Sequence, residues 1–212
     1  LEERNRSNQL TLAEKEALLQ ELQKRVSDNL QLLSSMVNLQ VGYAANEVVR
    51  HALTTTHSRV MALALVYETI YRYSDVQQVQ MQRYCTGLCE YLVSLYSDVG
   101  AGVSCAVSGI DVSLPIEKAL PLALILNELV SNSLLHAFPA GGAGAVRIAF
   151  ERETPALLKM TLSDNGVGFE DDVRLKDSLG YEMVAALVEQ LHGSLTLQSG
   201  TLGSEITVRF PA

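Results

Sequence analysis

The strongest constraint on the fold is a stretch without helix breakers: neither proline nor glycine occurs between Thr11 and Gly42. Within it, apolar residues fall at 19, 22, 26, 30, 33 and 37. Steps of three and four mark one face of a helix, not the alternation of a strand. Thr11-Leu12-Ala13-Glu14 fits a capping box, in which the hydroxyl takes one orphan N–H and the glutamate reaches back to another, so a helix start is expected there. A second seam runs through Val49, Leu53, Thr56, Val60, Leu63, Tyr67 and Ile70, with Gly42 in the turn between the two helices. Two long helices joined by one short turn form a hairpin, and a lone hairpin cannot enclose its apolar stripe. Two hairpins paired into a four-helix bundle can. The sequence therefore predicts a homodimer through residues 12–73.

Composition narrows the partners. The 212 residues suffice for one large domain or two small ones, and a hydrophobic share of 48% supports real cores. A formal charge of −8 and a pI near 5.0 argue against nucleic acid, because phosphate neutralisation needs a basic face. No uninterrupted apolar run approaches the ~20 residues of a membrane span, and no basic segment followed by an apolar one opens the chain. A cytoplasmic location is expected, with any membrane attachment left to an upstream region. The chain starts at Leu1 without Met and is expected to be a fragment. Cys85, Cys89 and Cys105 make an odd count, which reads as a reduced intracellular protein. Cys85 and Cys89 share a helix face but have no second ligand pair nearby, so packed core thiols are expected rather than a metal site.

Residues 1–10 are polar and are expected to be a linker, or the end of a helix descending from a missing sensor region. The hairpin is assigned to residues 11–75. Ser74-Asp75 looks like an N-cap for a third helix from about Val76 to Tyr96. After Gly100-Ala101-Gly102, strand character appears at Val103–Ile110 and Val112–Leu114. A helix is expected over Leu120–Phe138, entered near Pro121, and then an antiparallel pair at Val146–Arg152 and Leu157–Ser163. A helix over 180–192, ended by Gly193, leads to strands at Ser194–Gln198 and Glu205–Phe210. Helices combined with a mixed or antiparallel sheet give an α+β sandwich over residues 76–212.

Four motifs follow in order within this second domain. Asn127-Glu128-Leu129-Val130-Ser131-Asn132 sets Glu128 and Asn132 one turn apart on one helix face. Asp164-Asn165-Gly166-Val167-Gly168-Phe169 follows a strand, Leu179-Gly180-Tyr181-Glu182 opens a helix, and Gly200-Thr201-Leu202-Gly203-Ser204-Glu205 precedes the last strand. A buried Asp164 carboxylate can accept a hydrogen bond from the adenine exocyclic amine. Gly166 and Gly168 permit positive φ and close approach of backbone to a ligand. The Asn132 amide oxygen is a hard ligand suited to Mg²⁺ beside phosphates. Gly180, at a helix start, can present free N–H groups to phosphate. Taken together, the motifs resemble the Asn box and glycine boxes of the GHKL ATP-binding fold, shared by histidine kinases, gyrase, a heat-shock chaperone family and MutL proteins. The resemblance implies ATP and Mg²⁺ as cofactors, with Asn132, His136, Asp164, Gly166, Gly168, Lys176, Gly180 and Ser204 at the nucleotide. It implies that Glu128 either activates water, as in gyrase-like ATPases, or assists phosphoryl transfer, as in histidine kinases. His136 either faces the phosphates or is structural. Residues 170–179 would form a short lid carrying Lys176.

The hairpin carries a second resemblance. Glu21-Leu22-Gln23-Lys24-Arg25-Val26-Ser27-Asp28-Asn29-Leu30-Gln31 is similar to the phosphoacceptor segment of a class of bacterial sensor histidine kinases (HWE-like), typically E-[IVL]-H-H-R-V-K-N-N-L-Q. Ser34–Gln40 and Ser58–Glu68 resemble the same class, with Tyr67 where that class has a histidine. Where the class has its phosphoacceptor histidine, this chain has Lys24. A lysine ammonium has no lone pair near neutral pH, so the resemblance implies a transmitter module whose autophosphorylation is lost.

Three readings stay open. In the first, the chain is a phosphatase for a phosphorylated response regulator, with Asp28 at the offset where related kinases place a water-orienting side chain and Asn29 beside it. In the second it is a binding module whose Lys24 enters the acidic pocket of a receiver domain and sequesters it. In the third it is an active kinase using another acceptor, His57 for instance, or carrying an engineered change. Ser27 and Asp28 also depart from the motif, which favours natural divergence over a point mutation.

Overall fold

The computed structural model describes residues 2–73, 78–98, 102–139, 142–169 and 179–212. The chain divides into two compact units, Leu1–Val79 and Gln80–Ala212.

The first unit is a helical hairpin of α1 (Glu2–Gly42) and α2 (Glu47–Tyr73). Helix α1 begins at Glu2, so the helix start expected at Thr11 is corrected: the Thr11–Glu14 stretch lies inside a continuous helix that also takes in residues 2–10. Asn46 caps α2, its Oδ1 accepting the Val49 N–H at 3.0 Å. The face of α1 turned towards α2 also differs from the expected seam. Ser27 and Ser34 are buried, and Gln20, Gln23, Leu30, Val37 and Val41 are half-buried. Leu19, Leu22, Val26 and Leu33 remain exposed within the single chain. Small serine side chains let two helix backbones approach closely, so the packing within the hairpin follows Ser27 and Ser34, while much of the apolar stripe faces outward. In α2 the Ser58 hydroxyl is satisfied by the Thr55 carbonyl at 2.9 Å, so its burial leaves no orphaned donor.

The second unit follows β1 (Gln78–Gln80) with α3 (Met81–Leu95), β2 (Val103–Gly109), β3 (Ser113–Pro115) and α4 (Ile116–Asn132). A π-helical turn (Ser133–Ala137) continues α4, followed by β4 (Gly144–Thr154), β5 (Leu157–Asp164), α5 (Leu179–Gln190), β6 (Ser194–Gly200) and β7 (Gly203–Pro211). The third helix thus starts at Met81, later than expected, and Ser74-Asp75 lies outside the described residues. Helix α4 starts four residues before the expected Leu120, with Pro115 at its N-cap and Pro121 in its interior.

The five-stranded sheet has the order β2-β4-β5-β7-β6. Strand β2 runs parallel to β4 and the other neighbours are antiparallel, so the sheet is mixed. One face of β5 buries Leu158, Met160, Leu162 and Asp164 in strict alternation. On β7, Ser204, Ile206, Val208 and Phe210 form the matching buried row. Helices α3, α4 and α5 supply the rest of the core, including Leu88, Leu92, Leu122, Leu126 and Val184. Ile116–Ala137 is long and apolar enough to cross a membrane by length and composition, but 72% of its most apolar window is buried inside the protein, as in the core helix of a sandwich.

The cysteine expectation is corrected in part. Cys85 is a buried free thiol whose pKa is raised by burial. Cys89 of α3 is instead bonded to Cys105 of β2, with their Cα atoms 5.6 Å apart. Helix α3 packs on β2, a tertiary pairing that spacing along one helix cannot anticipate.

Candidate functional site

Strand periodicity positions the central group. Asp164 is the last residue of β5 and continues the core-facing row, so its carboxylate ends up buried at the rim of the sandwich. Ser204 is its directly paired neighbour on β7 and donates to Oδ2 at 2.5 Å. The Ser133 hydroxyl, from the π-helical turn, donates to the same oxygen at 3.2 Å. On the other side, the Gly166 N–H donates to Oδ1 at 2.9 Å. Two strands, a helix end and the following loop therefore meet at one carboxylate.

The loop after β5 is fixed from both sides. Asn165 Oδ1 accepts the Ala145 N–H at 2.7 Å, tying the loop to the start of β4. The Val167 N–H donates to the Ala137 carbonyl at 2.9 Å, and the Phe169 N–H to the Ser199 hydroxyl at 2.7 Å. A Cβ at position 166 would overlap the Ala137 carbonyl. Gly168 has φ +66° and lies against the Gly200 carbonyl, so a side chain there meets both strain and a clash. Beside Asp164 lies an open cleft of about 480 Å³, walled by Ser163, Asp164 and the β6–β7 hairpin from Gln198 to Glu205.

Helix α4 supplies a second set of groups. Glu128 is buried and Asn132, one turn on, is half-exposed. Gly180, the second residue of α5, lies against the Glu128 carboxylate. His136 sits in the π-helical turn with its ring exposed. Lys176 lies outside the described residues, as do residues 170–178 of the expected lid. Ser133 was not anticipated from the sequence. Its position next to Asn132 was legible, but its turn towards Asp164 depends on the π-helical register, for which the sequence has no signal. A π-helical turn inside an α-helix often marks a functional site.

The donor set fits an adenine nucleotide. The buried carboxylate keeps acceptor capacity beyond its three protein donors, the glycines at 166 and 168 keep the adjoining loop close, and the half-exposed amide of Asn132 has the hard oxygen that Mg²⁺ prefers. Among the described residues no group of three or more His, Cys, Asp or Glu side chains could hold a metal alone.

In the hairpin unit Lys24, Asp28 and Asn29 are all exposed on α1. Among the described residues no ion pair joins Lys24 to Asp28. The Lys24 ammonium instead lies 5.8 Å from the centre of the Tyr71 ring on α2, within reach of a cation–π contact. Arg25 pairs with Glu21 at 2.6 Å, one turn back. His51 is exposed, and half-buried His57 has its pKa lowered by desolvation.

Two family models match the chain in sequence. Residues 21–96 match the histidine kinase model, and residues 117–212 match that of the histidine kinase-, DNA gyrase B- and HSP90-like ATPases. The sensor histidine kinase PdtaS of Mycobacterium tuberculosis is 31% identical over 209 residues, 94% of this chain and 40% of PdtaS. The blue-light-activated histidine kinase 2 of Erythrobacter litoralis is 27% identical over 201 residues, 91% of this chain and 56% of that protein. The chain thus spans about half or less of the length of these relatives. The histidine kinase domain of the Erythrobacter litoralis EL346 blue-light activated kinase superposes with a TM-score of 0.68 at 22% identity, covering 93% of this chain and 94% of that one, which establishes a shared fold. With a hairpin module and an ATPase module matched in succession, the chain belongs to the histidine kinases and comprises a sensor histidine kinase transmitter module.

Proposed function

We propose that this transmitter binds Mg-ATP in its second unit and acts on the phosphorylated receiver domain of a response regulator, without phosphorylating itself. The observation that carries the reading is the exposed trio on α1. Lys24 stands at the position expected for the phosphoacceptor, with exposed Asp28 one turn further on and exposed Asn29 next to Asp28 in the chain. An exposed ammonium cannot attack phosphorus while protonated, but it can pair with the phosphoryl group or the acidic pocket of a docked receiver. Asp28 or Asn29 would orient a water for attack on the receiver's acyl phosphate. The P–O bond to the aspartyl carboxylate breaks, the carboxylate leaves, and inorganic phosphate is released.

In the second unit Asp164 would accept the adenine amine, Gly166, Gly168 and Ser204 would line the base, and Asn132 would hold Mg²⁺. Gly180, with His136 and Lys176, would serve the phosphate end. Glu128 would orient a water or an acceptor group there. Bound Mg-ATP would supply a conformational signal to the hairpin. The exposed apolar stripe of Leu18, Leu19, Leu22, Val26 and Leu33 supports homodimerisation through the hairpin, and a cytoplasmic setting follows from the proposed receiver partner.

Incubation with γ-labelled ATP and, separately, with a phosphorylated receiver tests the reading. The expected outcome is no acid-labile, base-stable label on the chain and faster loss of receiver phosphate. Stoichiometric label would overturn the loss of autophosphorylation. Tight binding with unchanged decay would replace the phosphatase with a sequestering module.

A further inference from the structure

We propose that Ser133 is a positioning residue for adenine recognition: its hydroxyl, with that of Ser204, saturates Oδ2 of Asp164 and leaves one acceptor position, on Oδ1, for the base. This rests on the adenine-nucleotide reading of the site. A carboxylate offers about four lone-pair directions, two on each oxygen. Oδ2 takes Ser204 at 2.5 Å and Ser133 at 3.2 Å, which fills it, while Oδ1 takes only the Gly166 N–H at 2.9 Å.

The two hydroxyls approach from different elements, a strand and a helix end, and both are buried with the carboxylate. Together they fix its plane, so the free lone pair has one direction. A base presenting an amine donor there is bound, and one presenting a carbonyl oxygen or a bare C–H leaves the acceptor unpaired. Discrimination against a ligand lacking the matching group is strongest when the site's own polar group is buried and cannot turn elsewhere. Without Ser133, Oδ2 regains a free lone pair and one of the two tethers on the carboxylate plane is lost. Ser133 also directly follows Asn132, so one turn of chain couples the base end of the site to its metal end.

The test is calorimetric titration of the whole chain, with Mg²⁺, by ATP and by purine riboside triphosphate, which lacks the 6-amino group. The unaltered chain should prefer ATP. Ser133→Ala should narrow that preference by about three- to tenfold, the range set by one net hydrogen bond, with the unliganded thermal midpoint changed by only a few degrees. A merely structural role would weaken both ligands alike and leave the ratio untouched. That result, with discrimination intact in the unaltered chain, would overturn the role of Ser133 and leave the nucleotide site standing. An unaltered chain that binds neither ligand, or both equally, would instead overturn the adenine reading itself. If Ser133→Ala does not fold, Ser133→Cys, close in size but a weak donor, is measured in its place with the same expected narrowing.

Discussion

Gly180 and Glu128 compete for the same space: a Cβ built on Gly180 would overlap Oε1 of Glu128. The bare backbone at the start of α5 lets a buried carboxylate on α4 keep its place, one turn from Asn132. Two effects oppose each other in Gly180→Ala. Alanine in a helix is worth up to about 1 kcal/mol over glycine, while forcing Glu128 off its rotamer costs about 0.5–1.5 kcal/mol. Net stability should therefore stay within about 1 kcal/mol of the unaltered chain by urea denaturation. Mg-ATP affinity should fall about tenfold, or roughly 1.4 kcal/mol, because the displaced carboxylate shares its helix face with the proposed metal ligand. Unchanged affinity in a folded variant would remove Glu128 from the site.

Three glycines of the second unit, two of them in the site, differ sharply in what surrounds them, and this orders their substitutions. Gly203 has φ +122° and lies against the Asp164 carbonyl, and Gly168 has φ +66° and lies against the Gly200 carbonyl. Both clashes are with backbone, which cannot rotate away. Each alanine substitution should destabilise the second unit by about 1–3 kcal/mol. Gly142, with nothing within 4 Å of its Cβ position, should tolerate alanine within about 0.5 kcal/mol. Urea midpoints of the three variants check the order, and an equal loss at all three would contradict it.

The glycine boxes were legible because tight turns and close backbone approach leave a mark in the residue type itself. Asp164 was legible for a further reason: its motif follows a strand whose alternation carries the carboxylate inward. The buried face of α1 was not legible. Its apolar residues mark the exposed stripe, whereas Ser27 and Ser34 are too small and polar to register as a seam. The Cys89–Cys105 pair and the Ser133–Asp164 bond escaped because each joins elements brought together only by tertiary packing, over separations of 16 and 31 residues.

That outward stripe yields a prediction about assembly. Leu22 and Leu33 are 58% and 52% exposed in the single chain, so replacing them should not disturb packing within the hairpin. The double variant Leu22→Glu with Leu33→Glu should retain its helical circular dichroism. In sedimentation velocity the unaltered chain should run as a dimer and the variant as a monomer. An unaltered chain already monomeric at micromolar concentration would remove the proposed four-helix bundle.

His57 of α2 sets a pH dependence whose sign follows from its surroundings. Partial burial lowers its pKa from the usual 6.5, because the imidazolium is less well solvated in the folded hairpin than in the unfolded chain. Below about pH 6.5 the unfolded chain therefore binds a proton that the folded one resists, and stability falls with pH until the folded pKa is passed. Above pH 6.5 the group is neutral in both states and contributes no slope. The effect is modest, since much of the ring still meets solvent. The urea midpoint should drop between pH 7.5 and pH 5 by more in the unaltered chain than in His57→Gln, which cannot titrate. The two should differ in slope only below about pH 6.5, and parallel curves throughout that range would show that the folded hairpin accepts the charged ring as readily as the unfolded chain does.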